Sequence, residues 1–168
     1  MSDKKRTYPT LSTKQRLQLI RIEPSVYLGL EYRPCRLTLR DGTLIERAYV
    51  VSAEQYHPVW GIWPEDDDGK SAVDIAEVAD IAGSPERLPK RFADEVYGAK
   101  ETMAGHHIFR LEWRDEYKQT YVTGSAVDFL PEPSGHRLKD ALIVHPHKGK
   151  GDPATRRGLR YHWCLFEN

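Results

Sequence analysis

Two pairs of residues near the end of the chain have side chains and a spacing that could bind a metal ion. His145 and His147 are two positions apart, and His162 and Cys164 repeat that spacing. Residues two apart on a strand point to the same side of the sheet, and four nitrogen and sulfur ligands would satisfy tetrahedral zinc. Pro146 distorts the first pair, however, and neither pair has the spacing of a zinc finger. Surface histidines and a buried cysteine are therefore the preferred interpretation, no cofactor is expected, and a metal-dependent enzyme is the second alternative function.

The last part of the chain carries a basic segment that could bind phosphates. Its cations are Lys148, Lys150, Arg156, Arg157 and Arg160. Tyr161 and Trp163 lie beside them, and cations that contact phosphates, combined with aromatic rings that stack on bases, are typical of nucleic-acid binding. The whole chain is nevertheless neutral, with an isoelectric point of about 7.1, whereas a dedicated nucleic-acid-binding domain is usually strongly basic. Nucleic-acid binding through this segment is therefore the first alternative function.

The most aromatic stretch of the chain, residues 56–64, could bind a partner protein. It is predicted to be a strand, on which Trp60 and Trp63, three positions apart, would point to opposite faces. One tryptophan would then pack in the core, and the other would be exposed or covered by another element. An exposed aromatic side chain would be a binding candidate, because such side chains often anchor protein interfaces. The alternative is that both tryptophans fill the core of a small barrel. Tyr56, Trp60 and Trp63 are the candidate partner-binding residues.

The sequence contains no recognised catalytic motif. A Gly-x-Ser-x-Gly nucleophile elbow, a phosphate-binding Gly-x-x-x-x-Gly-Lys loop, a dinucleotide-binding glycine pattern and a His-Glu-x-x-His zinc motif are all absent. Asp128 could join Cys35 and either His145 or His147 in a nucleophile and base arrangement, but their spacing does not indicate that they meet. No catalytic residue is predicted, and a protein without enzymatic activity is the simpler interpretation.

Two similar stretches predict the β-hairpins around which the chain is organised. Residues 36–41 are RLTLRD and residues 110–115 are RLEWRD, and each alternates apolar and polar side chains with the period of a strand. A turn and a second apolar strand follow each of them. Asp41 and Gly42 suit a tight hairpin turn, whereas the second turn has no glycine. The similarity predicts an internal duplication.

Two helices and several further strands complete the predicted organisation. Ser12 and Gln15 have the spacing of a capping box at the start of a short helix that ends near Ile20. A connecting helix is predicted from Pro89 to Tyr97, because proline suits a first turn and apolar residues recur four positions apart. Further strands are predicted within residues 26–30, 71–81, 126–130, 141–145 and 159–166.

Length and composition limit the class of protein. The chain of 168 residues suffices for one ordinary domain or two very small ones. Charged residues make up 30% and hydrophobic residues 39%, a typical soluble composition, and no apolar run reaches the roughly 20 residues that cross a bilayer. No secretory signal follows the basic N-terminus, and the two cysteines lie outside any Cys-x-x-Cys pattern, which favours a reducing compartment. We therefore expect a cytoplasmic protein.

Together these elements predict an α+β fold that is predominantly β. Two small barrel or sheet units, related by the duplication, would be joined by one helix. The order of strands and turns in the first half is similar, in pattern only, to small barrels of the Sm-like or SH3-like kind. The expected regions are an N-terminal basic arm with a short helix at 1–25, a first β unit at 26–83, the connecting helix at 84–104, a second β unit at 105–146, and a basic linker with a C-terminal strand at 147–168.

Binding without catalysis is the function that these observations favour. A protein–protein interaction module is the first prediction, because the aromatic stretch offers anchors and no catalytic motif is present. Nucleic acid is the alternative partner, and no membrane partner is expected. Exposed edge strands could also allow the chain to self-associate.

Overall fold

The computed structural model describes residues 6–168, so the first five residues of the predicted basic arm lie outside the described residues. Within that range the protein is a mixed α+β structure with three α-helices and two β-sheets, and most of its elements are strands. This confirms the predicted class. The α-helices are α1 (Thr13–Leu19), α2 (Ala53–Trp60) and α3 (Lys90–Gly98). The strands are β1 (Ser25–Tyr27), β2 (Leu30–Leu39), β3 (Leu44–Ser52), β4 (Ser71–Ala72), β5 (Val78–Ala82), β6 (His107–Glu112), β7 (Lys118–Thr123), β8 (Ile143–Pro146), β9 (Arg156–Arg157) and β10 (His162–Phe166).

The chain divides into two compact units that are not continuous in sequence. Unit 1 consists of the described residues up to Pro24, Leu28–Ser84 and Tyr161–Asn168, and unit 2 consists of Ser25–Tyr27 and Pro85–Arg160. The C-terminal strand β10 therefore belongs to the same unit as the first hairpin. The basic cations that precede β10 belong to unit 2.

Neither sheet closes into a barrel within the described residues. Five strands of unit 1 follow the order β5, β2, β3, β10, β4, and the strands of unit 2 follow the order β8, β6, β7, β9. The outer strands β4 and β9 are only two residues long, so they offer too few hydrogen-bonding groups to pair with the opposite edge of their sheet. The barrel form of the predicted units is therefore wrong, and the sheet form is correct.

The first predicted hairpin is formed by β2 and β3, which pair in antiparallel fashion. Gly42 takes a φ of 87° in the turn, and its N–H donates to the carbonyl of Leu39 at 3.0 Å. Strand β10 pairs in parallel with β3 and places Cys164 opposite Val50. The core of this unit is apolar and includes both cysteines as free thiols. Its buried residues are Leu19, Ile22, Cys35, Leu37, Ala48, Val50, Ile75, Val78, Ile81 and Cys164.

Helix α1 begins at the predicted capping box. The Ser12 Oγ accepts from the Gln15 N–H at 3.1 Å, and the Gln15 Oε1 accepts from the Ser12 N–H at 2.9 Å. The Gln15 Nε2 also donates to the carbonyls of Ile75 and Val78, at 3.0 and 3.1 Å. The same buried side chain therefore starts the helix and fixes it to the beginning of β5. Among residues 6–168, no helix combines the length and the apolarity needed to cross a bilayer.

The aromatic stretch is a helix rather than the predicted strand. Ala53, Glu54 and Gln55 favour a helix by intrinsic propensity, and Gly61 ends it with a left-handed φ of 71°. The N–H of Gly61 donates to the carbonyl of His57 at 2.8 Å. The strand prediction was based on the β-propensity of aromatic residues. That propensity depends on packing within a sheet, and this segment does not pair with any strand.

The second predicted hairpin is formed by β6 and β7 in unit 2. Because its turn has no glycine, Glu116 takes the left-handed conformation there, with a φ of 68°. Strand β8 pairs antiparallel with β6, and β9 pairs in parallel with β7. The helix predicted from Pro89 to Tyr97 is confirmed as α3, which packs on β8. It lies within unit 2, so its predicted role as a connection between two β units is not shown.

The return strand of this hairpin is shorter than predicted, because residues 126–130 are not a strand. Their side chains are almost completely buried, but their backbone pairs with the segment before α3 instead of with a sheet. The carbonyl of Asp128 accepts from the Leu88 N–H at 2.6 Å, and Phe129 forms an isolated bridge with Arg87. The apolar run therefore indicated burial correctly and secondary structure wrongly.

Candidate functional site

The predicted partner-binding residues Tyr56, Trp60 and Trp63 come together in unit 1. The buried ring of Tyr56 stacks on Trp60, with 6.0 Å between ring centroids, and on Trp63, with 6.5 Å. Positions 56 and 60 are adjacent because residues four apart share a helix face. Both tryptophans are half-buried. The prediction that the two tryptophans point to opposite faces of a strand is wrong, because residues 53–60 form a helix.

The aromatic residues predicted to stack on nucleic-acid bases are packed inside unit 1. Trp163 is only 1% exposed, and its ring centroid lies 5.1 Å from that of Tyr56 and 5.6 Å from that of Trp60. Tyr161 is half-buried and packs edge-on against Tyr49 at 4.7 Å. Trp163 is therefore not available to stack on a base. Of the residues predicted to bind nucleic acid, only the cations of the basic segment are exposed.

Lys70 contacts two members of the aromatic cluster, Tyr56 and Trp60. Its Nζ lies 4.0 Å from the centroid of the Trp60 ring and donates to the Tyr56 hydroxyl at 3.0 Å. Burial lowers the pKa of Lys70, and the carboxylate of Asp67, 3.4 Å away, opposes that shift. Burial also raises the pKa of Tyr56. The ring face that a cationic partner would contact is thus already occupied by a cation of the chain itself.

A pocket of about 240 Å³ opens elsewhere on unit 1, between α1, β3 and the residues that follow β10. The sequence did not predict it. Its lining combines the end of a helix, the buried end of a central strand and the C-terminal strand, which are far apart along the chain. The apolar residues that line it are Leu11, Leu19, Ile20, Val50, Val51 and Phe166. Ser52 also lines it, and its buried hydroxyl has no hydrogen-bond partner among the described residues.

The charged side chains that line the pocket are not equivalent. Arg33 donates through its guanidinium to the carbonyls of Leu19, at 3.3 Å, and Ile22, and it pairs with Glu31 at 3.2 Å. It therefore satisfies backbone carbonyls at the end of α1. Arg16 is exposed, and its side chain forms no hydrogen bond or ion pair with any of residues 6–168. Arg16 is consequently the charge that remains available to a ligand.

The pocket continues onto an exposed apolar strip of α1. Ile20 is 72% exposed, and Leu17, one helical turn earlier, is 60% exposed. Leu19 and Ile22 are instead buried in the core. Apolar residues on two sides of the same short helix explain why this segment has no clean hydrophobic period. That broken period is the one signal in the sequence that could have indicated a second, solvent-facing apolar surface.

The basic segment lies on the surface of unit 2. Its five cations, at positions 148, 150, 156, 157 and 160, are all exposed. Arg156 and Arg157 form β9 and place Arg156 opposite Tyr121 at the edge of the sheet. The structure therefore keeps these predicted residues together on one local segment.

The predicted metal ligands have other partners or are buried. The His145 Nε2 lies 2.9 Å from the carboxylate of Glu112. His147 has a φ of 63° and so leaves the strand, which makes the prediction that it shares a side with His145 wrong. Burial lowers the pKa of His162 and raises that of the Cys164 thiol. Residues 6–168 contain no group of three or more His, Cys, Asp or Glu side chains that could hold a metal ion.

Asp128 belongs to a buried polar network in unit 2. Its carboxylate accepts from the hydroxyl of Ser25 at 2.5 Å and from the hydroxyl of Tyr97. The Tyr97 oxygen in turn accepts from the Val127 N–H at 3.0 Å. Asp128 is 0% exposed, so the network satisfies buried groups. This arrangement assigns Asp128 the role of ordering the irregular segment that follows β7.

Comparison of the chain with known protein families, with curated proteins and with solved structures gives no match.

Proposed function

We propose that the protein is a binding module that docks an acidic segment of a partner protein in the pocket of unit 1. The observation that supports this is an open pocket of mixed apolar and polar lining that includes one exposed cation, Arg16, without a side-chain partner among residues 6–168. An apolar side chain of the partner would enter the pocket, and a neighbouring carboxylate would pair with Arg16. No catalytic step is part of this proposal.

The size of the pocket favours a single anchoring side chain. Its volume of about 240 Å³ is below the roughly 300–1,000 Å³ that is usual for small-molecule sites. Protein interfaces, in contrast, are often anchored by one or two side chains in such a pocket. The exposed strip of Ile20 and Leu17 extends the apolar contact beyond the pocket, as a longer chain segment requires.

The charges favour an acidic partner. Among the charged side chains of the lining, Glu31 is already paired with Arg33, so the side-chain charge left without an ion pair within residues 6–168 is that of Arg16. The unpartnered hydroxyl of Ser52 could donate to a carbonyl or carboxylate of the partner. Burial of one apolar anchor contributes only about 1.5–3 kcal/mol, so a weak interaction is expected and a sensitive method is needed.

Nuclear magnetic resonance titration of the full ¹⁵N-labelled chain tests the proposal. Three short, end-blocked Gly/Ser peptides serve as probes: one with a central leucine between glutamates, one with the leucine between lysines, and one with alanine between glutamates. The first peptide should shift the amides of Val50, Val51 and Ser52 and those of α1, whereas the other two should not. Equal shifts with all three peptides, or shifts confined to other surfaces, would refute the proposal.

Two substitutions sharpen this test. Arg16→Glu should transfer binding from the acidic peptide to the basic one, because it reverses the unpaired charge. Ile20→Ser should weaken the acidic peptide several-fold. The matched control is Leu142→Ser, which removes an apolar side chain that is 47% exposed in unit 2 and should change nothing. If Leu142→Ser weakens the acidic peptide as much as Ile20→Ser does, the binding depends on general surface hydrophobicity and not on the pocket.

The internal duplication stays part of the proposal, and the topology of the two units supports it. In each unit an α-helix precedes an antiparallel hairpin, a later strand pairs antiparallel with the first hairpin strand, and another strand pairs in parallel with the second. A 3-10 helix precedes both β5 and β8. Helix α1 packs on β5 as α3 packs on β8.

The buried positions of the similar stretches also correspond. Leu37 and Leu111 occupy the same place in the two stretches, and both are 0% exposed. Leu37 lies opposite Ile81 in β5, and Leu111 lies opposite Val144 in β8. The similarity in strand pattern to Sm-like or SH3-like proteins and the cytoplasmic location remain predictions.

A further inference from the structure

The basic segment of unit 2, residues 148–160, contains a turn that packs closely on β7. Gly149 has a φ of 98°, and a Cβ at this position would lie 2.4 Å from the Cγ2 of Thr120. The backbone at position 149 therefore packs directly on β7. The N–H of Asp152 donates to the carbonyl of Gly149 at 2.9 Å, which closes the turn. The lysines on either side of Gly149 are thus presented by an ordered loop.

The acidic residue in this segment, Asp152, forms no ion pair with Lys148, Lys150, Arg156 or Arg157. The Asp152 carboxylate accepts from the Thr120 hydroxyl at 2.8 Å and from the Ala154 N–H at 2.9 Å. It also lies 3.9 Å from a guanidinium nitrogen of Arg110. Hydrogen bonding to Ala154 and Thr120 lowers the pKa of Asp152. The carboxylate is therefore used to fold the loop back onto β6 and β7.

Four cations of the segment remain unpaired. Lys148, Lys150, Arg156 and Arg157 are exposed and form no ion pair with any of residues 6–168. Four unpaired cations within ten residues, two of them on the edge strand β9, give this part of unit 2 a local excess of positive charge that attracts anions. No large apolar side chain between 147 and 160 is strongly exposed, whereas surfaces that enter a membrane combine cations with apolar anchors.

We propose that this segment binds the phosphate backbone of double-stranded nucleic acid without reading its sequence. The surface offers cations for phosphates, and the aromatic rings near it in sequence are packed in unit 1. Contacts to phosphates position a protein on a duplex but carry no sequence information. The site is separate from the pocket of unit 1, so either proposal can fail while the other holds.

The number of cations sets the expected dependence on salt. Neutralisation of four phosphates predicts a slope of about −3.6 for log K against log salt on a DNA duplex. Affinity should then fall about 150-fold between roughly 50 and 200 mM salt. Removal of two cations should reduce the slope to about −1.8 and the loss to about 12-fold.

Fluorescence anisotropy with a labelled DNA duplex of about 20 base pairs tests these values on the full chain. The variant Arg156→Ala/Arg157→Ala should show the reduced slope, and Lys148→Gln/Lys150→Gln should do the same without altering β9. The control Arg114→Ala/Lys139→Ala removes the same charge from exposed positions of unit 2 outside the segment and should keep the original slope.

Several results would overturn the proposal. One is a failure to bind the duplex at about 50 mM salt, where backbone contacts are strongest. Another is an equal loss of slope in the control variant, which would show that overall charge and not this segment is responsible. A third is tighter binding to anionic phospholipid vesicles than to the duplex. A strong preference for one of two unrelated duplex sequences would contradict recognition of the backbone alone.

Discussion

Substitution of Gly149 by alanine tests the close packing that orders the basic segment. A Cβ at this position would lie 2.4 Å from the Thr120 Cγ2 and 2.5 Å from its Oγ1. Thr120 cannot easily make room, because it is 1% exposed and its hydroxyl is hydrogen bonded to Asp152. We therefore expect Gly149→Ala to destabilise unit 2 strongly.

The expected cost has two parts. A residue with a Cβ in the left-handed region costs roughly 1–2 kcal/mol, and forcing an extra methyl group into a closely packed site typically costs about 1–3 kcal/mol. Gly149→Ala should therefore lower the free energy of unfolding by roughly 2–5 kcal/mol. Gly151 has a φ of 84°, but nothing lies within 4 Å of its Cβ position. Gly151→Ala should carry only the first part, about 1–2 kcal/mol.

Urea unfolding of both variants, followed by circular dichroism and by the fluorescence of Trp113 and the other tryptophans, measures this difference. A double-mutant cycle with Thr120→Ala provides an independent check, because removal of the Thr120 Cγ2 and Oγ1 should recover part of the cost of Gly149→Ala. If Gly149→Ala costs no more than Gly151→Ala, or if Thr120→Ala gives no recovery, the close approach is not the reason for glycine at this position.

Two further predictions concern buried and exposed polar pairs. Gln15→Glu keeps the oxygen that accepts from Ser12 but replaces the amide that donates to the carbonyls of Ile75 and Val78 with a second acceptor. The free energy of unfolding, measured in urea, should therefore fall by at least about 2 kcal/mol. A decrease of only a few tenths of a kcal/mol would show that these two hydrogen bonds contribute little. The carboxylate of Asp115, 2.7 Å from the His136 Nε2, raises the pKa of His136 above its usual 6.5. The stability from this pair is therefore complete below pH 6.5 and is lost as the pH rises through the higher folded value. Titration by nuclear magnetic resonance should show the His136 pKa falling in Asp115→Asn, and an unchanged value would contradict the assignment.

The local elements of the fold were predictable because their signals lie within a few residues. The capping box of Ser12 and Gln15 marks the start of α1, and Asp41 and Gly42 mark the turn of the first hairpin. Alternation of apolar and polar residues gave both hairpins, since each strand buries one face. These features depend on backbone geometry and on the period of burial, which the sequence carries directly.

The aromatic stretch and the metal ligands were misjudged for the same physical reason. A strand is defined by the neighbour with which it pairs, and the residues around Tyr56 and Trp60 have no such neighbour, so the helical propensity of the segment prevailed. His145 and His147 are two positions apart, but Pro146 ends β8 and the left-handed φ of His147 removes the alternation. Local pattern alone did not contain this information.

The pocket, the placement of β10 and the exposure of the basic segment were decided only by tertiary structure. Strand β10 pairs in parallel with β3, more than 100 residues away in sequence, and a parallel partner leaves no turn signal between the strands. The pocket is lined by Leu19, Val50 and Phe166, which are likewise far apart in sequence and have no local signal that links them. The sequence by itself therefore determined most of the helical and extended segments, though not the aromatic stretch or residues 126–130, and it determined which residues are apolar or charged. Which of those residues meet, and which charges stay unpaired, depended on long-range packing, because contacts between distant segments are set by the whole fold.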